Sequence, residues 1–174
     1  QINNSDNTGD IHIVNNGSLS TDAGEPYNFF GYTFFPTYAH GVSVITQGSG
    51  DILVDVNGAI DVHTGANSSG VNINFIQGND ITVNANADIT AAGWDGDGIR
   101  VEQSISATGA AHATVNVDNG ATIKATGVTG ADGIQVYLDG TYGSNYDINI
   151  NNGTVIGGQD GTYVSPFTGE GQYY

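Results

Sequence analysis

The stretch Asp80–Glu102 reads DITVNANADITAAGWDGDGIRVE and contains three short runs in which apolar and polar residues alternate. The alternating apolar pairs are Ile81 and Val83, Ile89 and Ala91, and Ile99 and Val101. A period of two residues indicates β-strands, and no helical period is present. Gly93, Gly96 and Gly98 lie in the last gap, where a positive φ is favourable only for glycine. The stretch therefore predicts three short strands joined by tight turns.

The same unit recurs along the chain. The pattern apolar-x-apolar-x5-apolar occurs at Ile11, Ile13 and Leu19; at Ile52, Val54 and Ile60; at Ile81, Val83 and Ile89; at Val115, Val117 and Ile123; and at Ile148, Ile150 and Ile156. Each copy is followed by Gly-apolar-x-apolar, which begins at Gly41, Gly70, Gly98, Gly133 and, in a degenerate form, Gly161. Because like strands return about every 30 residues, the pattern favours stacking of like upon like over a meander.

We predict an all-β fold for residues 1–174, a single-domain parallel β-helix of about five three-strand coils. Right-handed coils are expected, because parallel crossovers are almost always right-handed. We expect the first residues of the five copies to form one column, Ile11, Ile52, Ile81, Val115 and Ile148. Two segments depart from the repeat, an aromatic insertion loop at residues 25–39 and a Gly-rich, aromatic tail at residues 165–174.

The composition excludes several classes of partner. The chain has 2 Lys and Arg residues against 18 Asp and Glu residues, a net charge of −16. Nucleic acids and anionic bilayers are bound through Lys and Arg, so neither is an expected partner. No apolar run is long enough to insert into a membrane as a helix. Cysteine is absent, which excludes disulfides and thiolate metal sites.

The motifs VNVDNGATIKATG, DININNGTVIGG and DGIQVYLDG resemble the β-helical passenger repeats of bacterial autotransporters and related adhesins. The resemblance lies in the repeat style, covers most of the chain and includes no diagnostic motif. It implies a β-helix at the cell surface or in the extracellular space. It implies no catalytic residue.

An acidic column is predicted directly before the repeated glycines. The residues at this position are His40, Ser69, Asp97, Asp132 and Asp160. We expect them to point outward. Together with Asp95, the three aspartates offer oxygen ligands for a structural Ca²⁺ ion, while the alternative is that each caps its own turn by accepting a backbone N–H.

Asparagines form a second outward pattern. Asn84, Asn116, Asn149 and Asn151 lie in or beside one column, so we expect their amides to bond to one another along the stack. Four Asn-x-Ser/Thr sequons are candidate glycosylation sites, at Asn3, Asn16, Asn67 and Asn152.

Enzymatic activity is not expected, although parallel β-helices also act on polysaccharides. A lyase needs cationic groups for its substrate carboxylates, and the chain has only Arg100 and Lys124. A glycosidase needs two carboxylates in different environments, and the sequence does not distinguish Asp95, Asp97 and Glu102. The four histidines occupy unrelated coil positions. We therefore predict no catalytic residue and no cofactor other than the candidate Ca²⁺.

The aromatic insertion is the strongest local anomaly. The aromatic residues that we expect at an interface are Tyr27, Phe29, Phe30, Tyr32, Phe34, Phe35 and Tyr38, with Phe167, Tyr173 and Tyr174 in the tail. Apolar patches of this size usually mark an interface. The insertion could instead stack on sugar rings, or cover one side of its own coil.

Two functions remain from the sequence. The first is a non-enzymatic extracellular structural protein that stacks end to end with identical copies into a surface filament or layer, because no capping repeat is recognisable. In such a fibre a neighbour could donate residues 1–7 as an added strand. The second is an adhesin segment that binds a host surface or a glycan. A polysaccharide-active enzyme ranks third.

Overall fold

The computed structural model describes residues 2–4, 8–24, 27–30, 32–34, 36–104, 106–127 and 130–158. In chain order the strands are β1 (Ile2–Asn4), β2 (Ile11–Asn15), β3 (Leu19–Thr21), β4 (Tyr27–Phe29), β5 (Tyr32–Phe34), β6 (His40–Thr46), β7 (Ile52–Val56), β8 (Ile60–Val62), β9 (Ser69–Phe75), β10 (Asp80–Ala85), β11 (Ile89–Ala91), β12 (Asp97–Gln103), β13 (His112–Val117), β14 (Thr122–Ala125), β15 (Ile134–Tyr137), β16 (Asn145–Ile150) and β17 (Thr154–Ile156). A 3-10 turn, Gly140–Tyr142, follows β15. No helix in the described residues has the length and apolarity needed to cross a bilayer.

Three parallel sheets of five strands form the body of the molecule. Sheet I has the order β1-β6-β9-β12-β15, sheet II the order β2-β7-β10-β13-β16, and sheet III the order β3-β8-β11-β14-β17. The chain visits sheets I, II and III in turn, so equivalent strands stack and the chain makes about four turns. The predicted all-β parallel β-helix with three-strand coils is confirmed. Its handedness stays a prediction.

The interior is filled by the inward side chains of all three sheets. Strands β7, β9, β10 and β12 alternate between buried and partly exposed residues, as the period of two predicts. The fully buried side chains are mainly Ile and Val, with Phe75 the largest. Sheet I stacks Val42, Val71, Ile99 and Ile134 in one column. These residues are the first apolar positions of the Gly-apolar-x-apolar motifs.

The predicted register of sheet II is wrong in the last two coils. Ile11, Ile52 and Ile81 stack as expected, but Ile81 is followed by Ala113. Val115 and Ile148 belong instead to the next inward column, beside Val83. The reason is that three residues separate Ala85 from Ile89, whereas five separate their register partners Val117 and Ile123. A shift of two residues keeps the same face inward, so the core pattern survives.

Sheet III contains a smaller error of the same kind. Val155, and not Ile156, lies beside Ile123 in the inward column. Ile156 lies beside Lys124 on the outer face and is exposed.

The first described strand was not expected. Ile2–Asn4 pairs in parallel with β6 of its own chain. β1 is an end strand of sheet I, so the idea that a neighbouring copy receives residues 1–7 as an added strand stays a prediction. The degenerate fifth motif at Gly161 lies outside the described residues.

Asparagine ladders run along the turns and the outer face of sheet II. The side-chain amides of Asn84, Asn116 and Asn149 each donate to the residue one coil earlier, over 2.8, 2.8 and 2.9 Å. A second ladder begins in the first turn, where Asn57 donates to Asn16 over 3.0 Å. It continues through Asn86 and Asn119, and in the same turn of the last coil Asn151 donates to Asp118. The predicted ladder is confirmed, with Asn151 in this neighbouring row.

Candidate functional site

The column before the repeated glycines is buried rather than outward. His40 pairs with Ser69, Ser69 pairs with Asp97, and Asp132 lies one coil further. Ser69, Asp97 and Asp132 are buried and His40 is half-buried. The expectation of an outward column is therefore wrong. The cause is a side-chain direction: position 97 is two residues before the inward Ile99 and shares its face.

Asp97 is a fully buried carboxyl group. Its Oδ1 accepts the backbone N–H of Asp132 at 3.0 Å. Its Oδ2 makes no hydrogen bond with the described residues and lies 3.8 Å from Nη1 of Arg100. Burial raises the pKa of Asp97 to about 7, with the charges of Asp132 and Asp95 acting in the same direction.

Asp132 and Asp95 are shifted in the same sense. Burial raises the pKa of Asp132 to about 6, and burial also raises the pKa of Asp95. Asp97 and Asp132 therefore keep their protons to a higher pH than ordinary carboxyl groups do.

The predicted Ca²⁺ site receives no support from this geometry. The described residues contain no group of three His, Cys, Asp or Glu side chains that could hold a metal ion. Asp160 lies outside the described residues. Ca²⁺ binding by Asp95, Asp97 and Asp132 stays a prediction, and the burial of Asp97 favours a neutral carboxyl group over a metal ligand.

Arg100 supplies the positive charge next to the carboxyl groups of Glu102 and Asp97 on sheet I. Its Nε and Nη2 both donate to Oε2 of Glu102, at 3.1 and 2.8 Å. Burial disfavours the charged guanidinium, but Glu102 and Asp97 outweigh burial and raise the pKa of Arg100. The guanidinium and its two carboxylate neighbours form one compact, partly buried charge cluster.

A groove of about 720 Å³ lies over the outer face of sheet I. Its floor is made by outward residues of β6, β9 and β12, namely Ser43, Asn72, Asn74, Arg100 and Glu102. The volume is within the range of about 300–1,000 Å³ that is usual for ligand sites. The sequence contained a weak signal for this groove. The outward residues Asn72 and Asn74 of β9 are amides, whereas the equivalent positions of β6 and β12 hold no amide.

One wall of the groove is built from two strained segments. Tyr38 and Asn67 both line it, and their φ angles are +65° and +53°, in the left-handed region. Their segments are tied together because the N–H of Tyr38 donates to the carbonyl of Ala66. Left-handed backbone is uncommon for a tyrosine and concentrates at functional sites.

His40 completes this wall as a neutral imidazole. Its Nδ1 accepts the backbone N–H of Ser69 at 3.1 Å, so the proton lies on Nε2. Burial lowers the pKa of His40, and the charge of Arg100 acts in the same direction. Its ring lies 6.2 Å from that of Tyr38, centroid to centroid.

The aromatic insertion forms a separate surface. Strands β4 and β5 pair in an antiparallel hairpin. Tyr27, Phe29, Phe30 and Tyr32 are exposed, and Phe30 keeps 87% of its surface accessible. The alternative in which these four cover their own coil is therefore wrong. Only the backbone of Phe34 is described, and Phe35, Phe167, Tyr173 and Tyr174 lie outside the described residues.

The four sequons occupy different settings. Asn16 and Asn152 are in exposed turns, Asn67 lines the groove, and of Asn3 only the backbone in β1 is described. Glycosylation at these sites stays a prediction.

The chain matches no protein-family profile, and neither a curated protein nor a solved structure is significantly similar to it. Similarity to known proteins therefore assigns no function to the groove, the hairpin or the ends of the solenoid.

Proposed function

We propose that this protein is a non-enzymatic extracellular structural subunit that stacks end to end with identical copies into a surface filament or layer. The observation that carries the proposal is the exposure of an inward column at the last coil that the structure describes. Val117 is 0% exposed, whereas Ile150, next to it in the same column, is 45% exposed. Among the described residues, β16 and β17 each have a neighbouring strand on one side only. An added coil would bury Ile150 and pair these strands.

The amide ladders support contact between unlike ends. The turn row runs from Asn16 in the first coil to Asn119, and beside it Asn151 donates to Asp118; all of these amides donate toward the first coil. A second copy stacked on β16 would bring the amides of its first turn, including that of Asn16, to the turn after β16 and would add a further level of amide bonds in the same direction. Such a head-to-tail contact does not close on itself, so it generates a fibre.

The acidic composition and the repeat style are consistent with this role. The net charge of −16 opposes lateral clumping of fibres. The resemblance to autotransporter and adhesin passenger repeats supports an extracellular or cell-surface location. The exposed aromatic hairpin would pack across the joint or against a neighbouring fibre.

Sedimentation velocity over a range of protein concentrations tests the proposal. We expect assemblies that grow with concentration, and we expect Ile150→Lys to reduce them to monomers because it places a charge at the joint. Thr82→Lys adds the same charge to the outer face of sheet II and serves as the control. A native protein that stays monomeric, or an Ile150→Lys variant that assembles normally, would exclude end-to-end stacking through this coil.

A second candidate is an adhesin that binds a host surface or a glycan through the hairpin. The exposure of Tyr27, Phe29, Phe30 and Tyr32 favours it. Replacing Phe29, Phe30 and Tyr32 with serine would remove adhesion and spare assembly in this case. Loss of assembly with adhesion intact would place the hairpin at the joint instead.

A further inference from the structure

We propose that the groove over sheet I binds a neutral oligosaccharide. This inference is independent of end-to-end stacking and of the hairpin. It rests on polar groups that face the groove and that have no hydrogen-bond partner among the described residues.

The asparagines in the groove differ from those on sheet II in their hydrogen bonds. On sheet II, the amides of Asn84, Asn116 and Asn149 satisfy one another along the ladder. The side chains of Asn72 and Asn74 make no hydrogen bond with any described residue, although both are partly buried in the groove floor. Asn72 lies between Ser43 and Arg100 on the neighbouring strands, and Asn74 lies between Ile45 and Glu102. Neither asparagine therefore has another amide beside it, and no ladder like that of sheet II can form here.

Ser43 provides an independent observation. It lines the groove with only 7% of its surface exposed, and its Oγ is buried without a hydrogen-bond partner among the described residues. An unpaired buried hydroxyl is unfavourable for the protein alone. The neutral His40 adds an Nε2–H donor from the wall, because its Nδ1 is already used by Ser69. The groove thus presents donors and acceptors in a mixed set, which matches a ligand whose hydroxyl groups both donate and accept.

Tyr38 supplies the apolar part of such a site. It lines the groove and its side chain is largely exposed. An exposed aromatic ring beside polar groups offers a flat apolar face to the C–H face of a sugar ring. Its left-handed backbone and the hydrogen bond from its N–H to Ala66 hold it in this position.

The charges select a neutral ligand. Arg100 is already paired with Glu102 and lies beside Asp97, so it is not free for an anionic group. The net charge of −16 repels acidic glycans. A metal ion is disfavoured because the groove floor carries this guanidinium.

Titration calorimetry of the full chain with maltohexaose, cellohexaose and mannohexaose tests the inference. We expect at least one of the three to bind, and the acidic polymer polygalacturonate not to bind. The double variant Asn72→Ala/Asn74→Ala should weaken binding by about tenfold or more, since two hydrogen bonds are lost. Asn149→Ala removes the same group from sheet II and should leave binding unchanged.

Further variants separate this site from the hairpin and from structural effects. Tyr38→Gly keeps the left-handed backbone accessible and removes the ring, so we expect weaker binding in a folded protein. The hairpin change Phe29→Ser/Phe30→Ser should not alter binding. Absence of binding to all three neutral sugars, tighter binding of polygalacturonate, or equal binding by the Asn72→Ala/Asn74→Ala variant would each overturn the inference.

Discussion

The backbone N–H of Asp132 donates to Oδ1 of Asp97 across two adjacent coils, at 3.0 Å. This bond uses one oxygen of a fully buried carboxyl group and leaves the other without a hydrogen bond among the described residues. Asp97 therefore acts as a structural link between coils that the protein keeps uncharged over part of the physiological pH range.

The stability of the protein should depend on pH through Asp97. Its pKa is about 7 in the folded chain, against an ordinary value of 3.8, so the folded state holds more protons between these values. The stability that the folded state gains from holding this proton is fully present below about pH 4 and is lost as the pH rises to about 7. We expect the Asp97→Asn variant, measured by urea unfolding, to gain stability relative to the native protein across this window, by a few kcal/mol at most.

The quantity to follow with pH is the difference in unfolding free energy between the Asp97→Asn variant and the native protein, because other groups also titrate in this range. The lowered pKa of His40 acts in the opposite sense, and the raised pKa of Asp132 acts in the same sense as that of Asp97. Asp147→Asn, at an exposed position, is the matched control. A stability difference between Asp97→Asn and the native protein that does not change with pH would show that Asp97 ionises normally.

Chelation should leave the melting temperature unchanged. The described residues provide no group of three His, Cys, Asp or Glu side chains for a metal ion, and Asp97 is enclosed beside Arg100. A protein stabilised by bound Ca²⁺ would lose stability when EDTA removes the ion. Differential scanning calorimetry with EDTA and with added Ca²⁺ checks this. A clear decrease with EDTA that Asp97→Asn abolishes would establish the Ca²⁺ site.

The register of sheet III can be tested by a pair of alanine substitutions. Ile123 is fully buried, while Ile156 is 41% exposed on the outer face. We expect Ile123→Ala to cost about 2–5 kcal/mol of unfolding free energy and Ile156→Ala about 1 kcal/mol or less. Equal losses for the two variants would support the alternative register, in which Ile156 lies in the core.

The ladders should contribute to stability, and the groove amides should not. Asn116 donates to Asn84 and accepts from Asn149, so Asn116→Ala breaks two hydrogen bonds. We expect a loss of about 1–2 kcal/mol, whereas Asn72→Ala should change stability by less than about 0.5 kcal/mol. A larger loss for Asn72→Ala than for Asn116→Ala would mean that the groove amides serve the fold.

The repeat was readable from the sequence because apolar periodicity and spacing are local signals. The five copies predicted three-strand coils, and the Gly-apolar-x-apolar segments stack on one another in sheet I, as the repeat suggested. The register of sheet II failed because the length of a turn does not change which face points inward. Asp97 was misplaced outward although the period of two places it on the same inward face as Ile99.

The roles of two glycines also show which features the sequence could predict and which it could not. Gly93 has the positive φ that its turn requires, but Gly98 does not. A Cβ at Gly98 would collide with the carbonyl of Gly133 and with Ile123, so a close approach of the next coil requires glycine there. The groove was not predicted at all, because it forms between three strands that are distant in sequence and the Tyr38 and Asn67 segments.

Electron microscopy of the native protein at high concentration tests the central claim most directly. End-to-end stacking predicts unbranched filaments one solenoid wide, with a subunit repeat of about 24 Å from five strands at about 4.8 Å each. Discrete single particles, with no filaments at any concentration, would contradict the proposal that this solenoid is a stacking subunit.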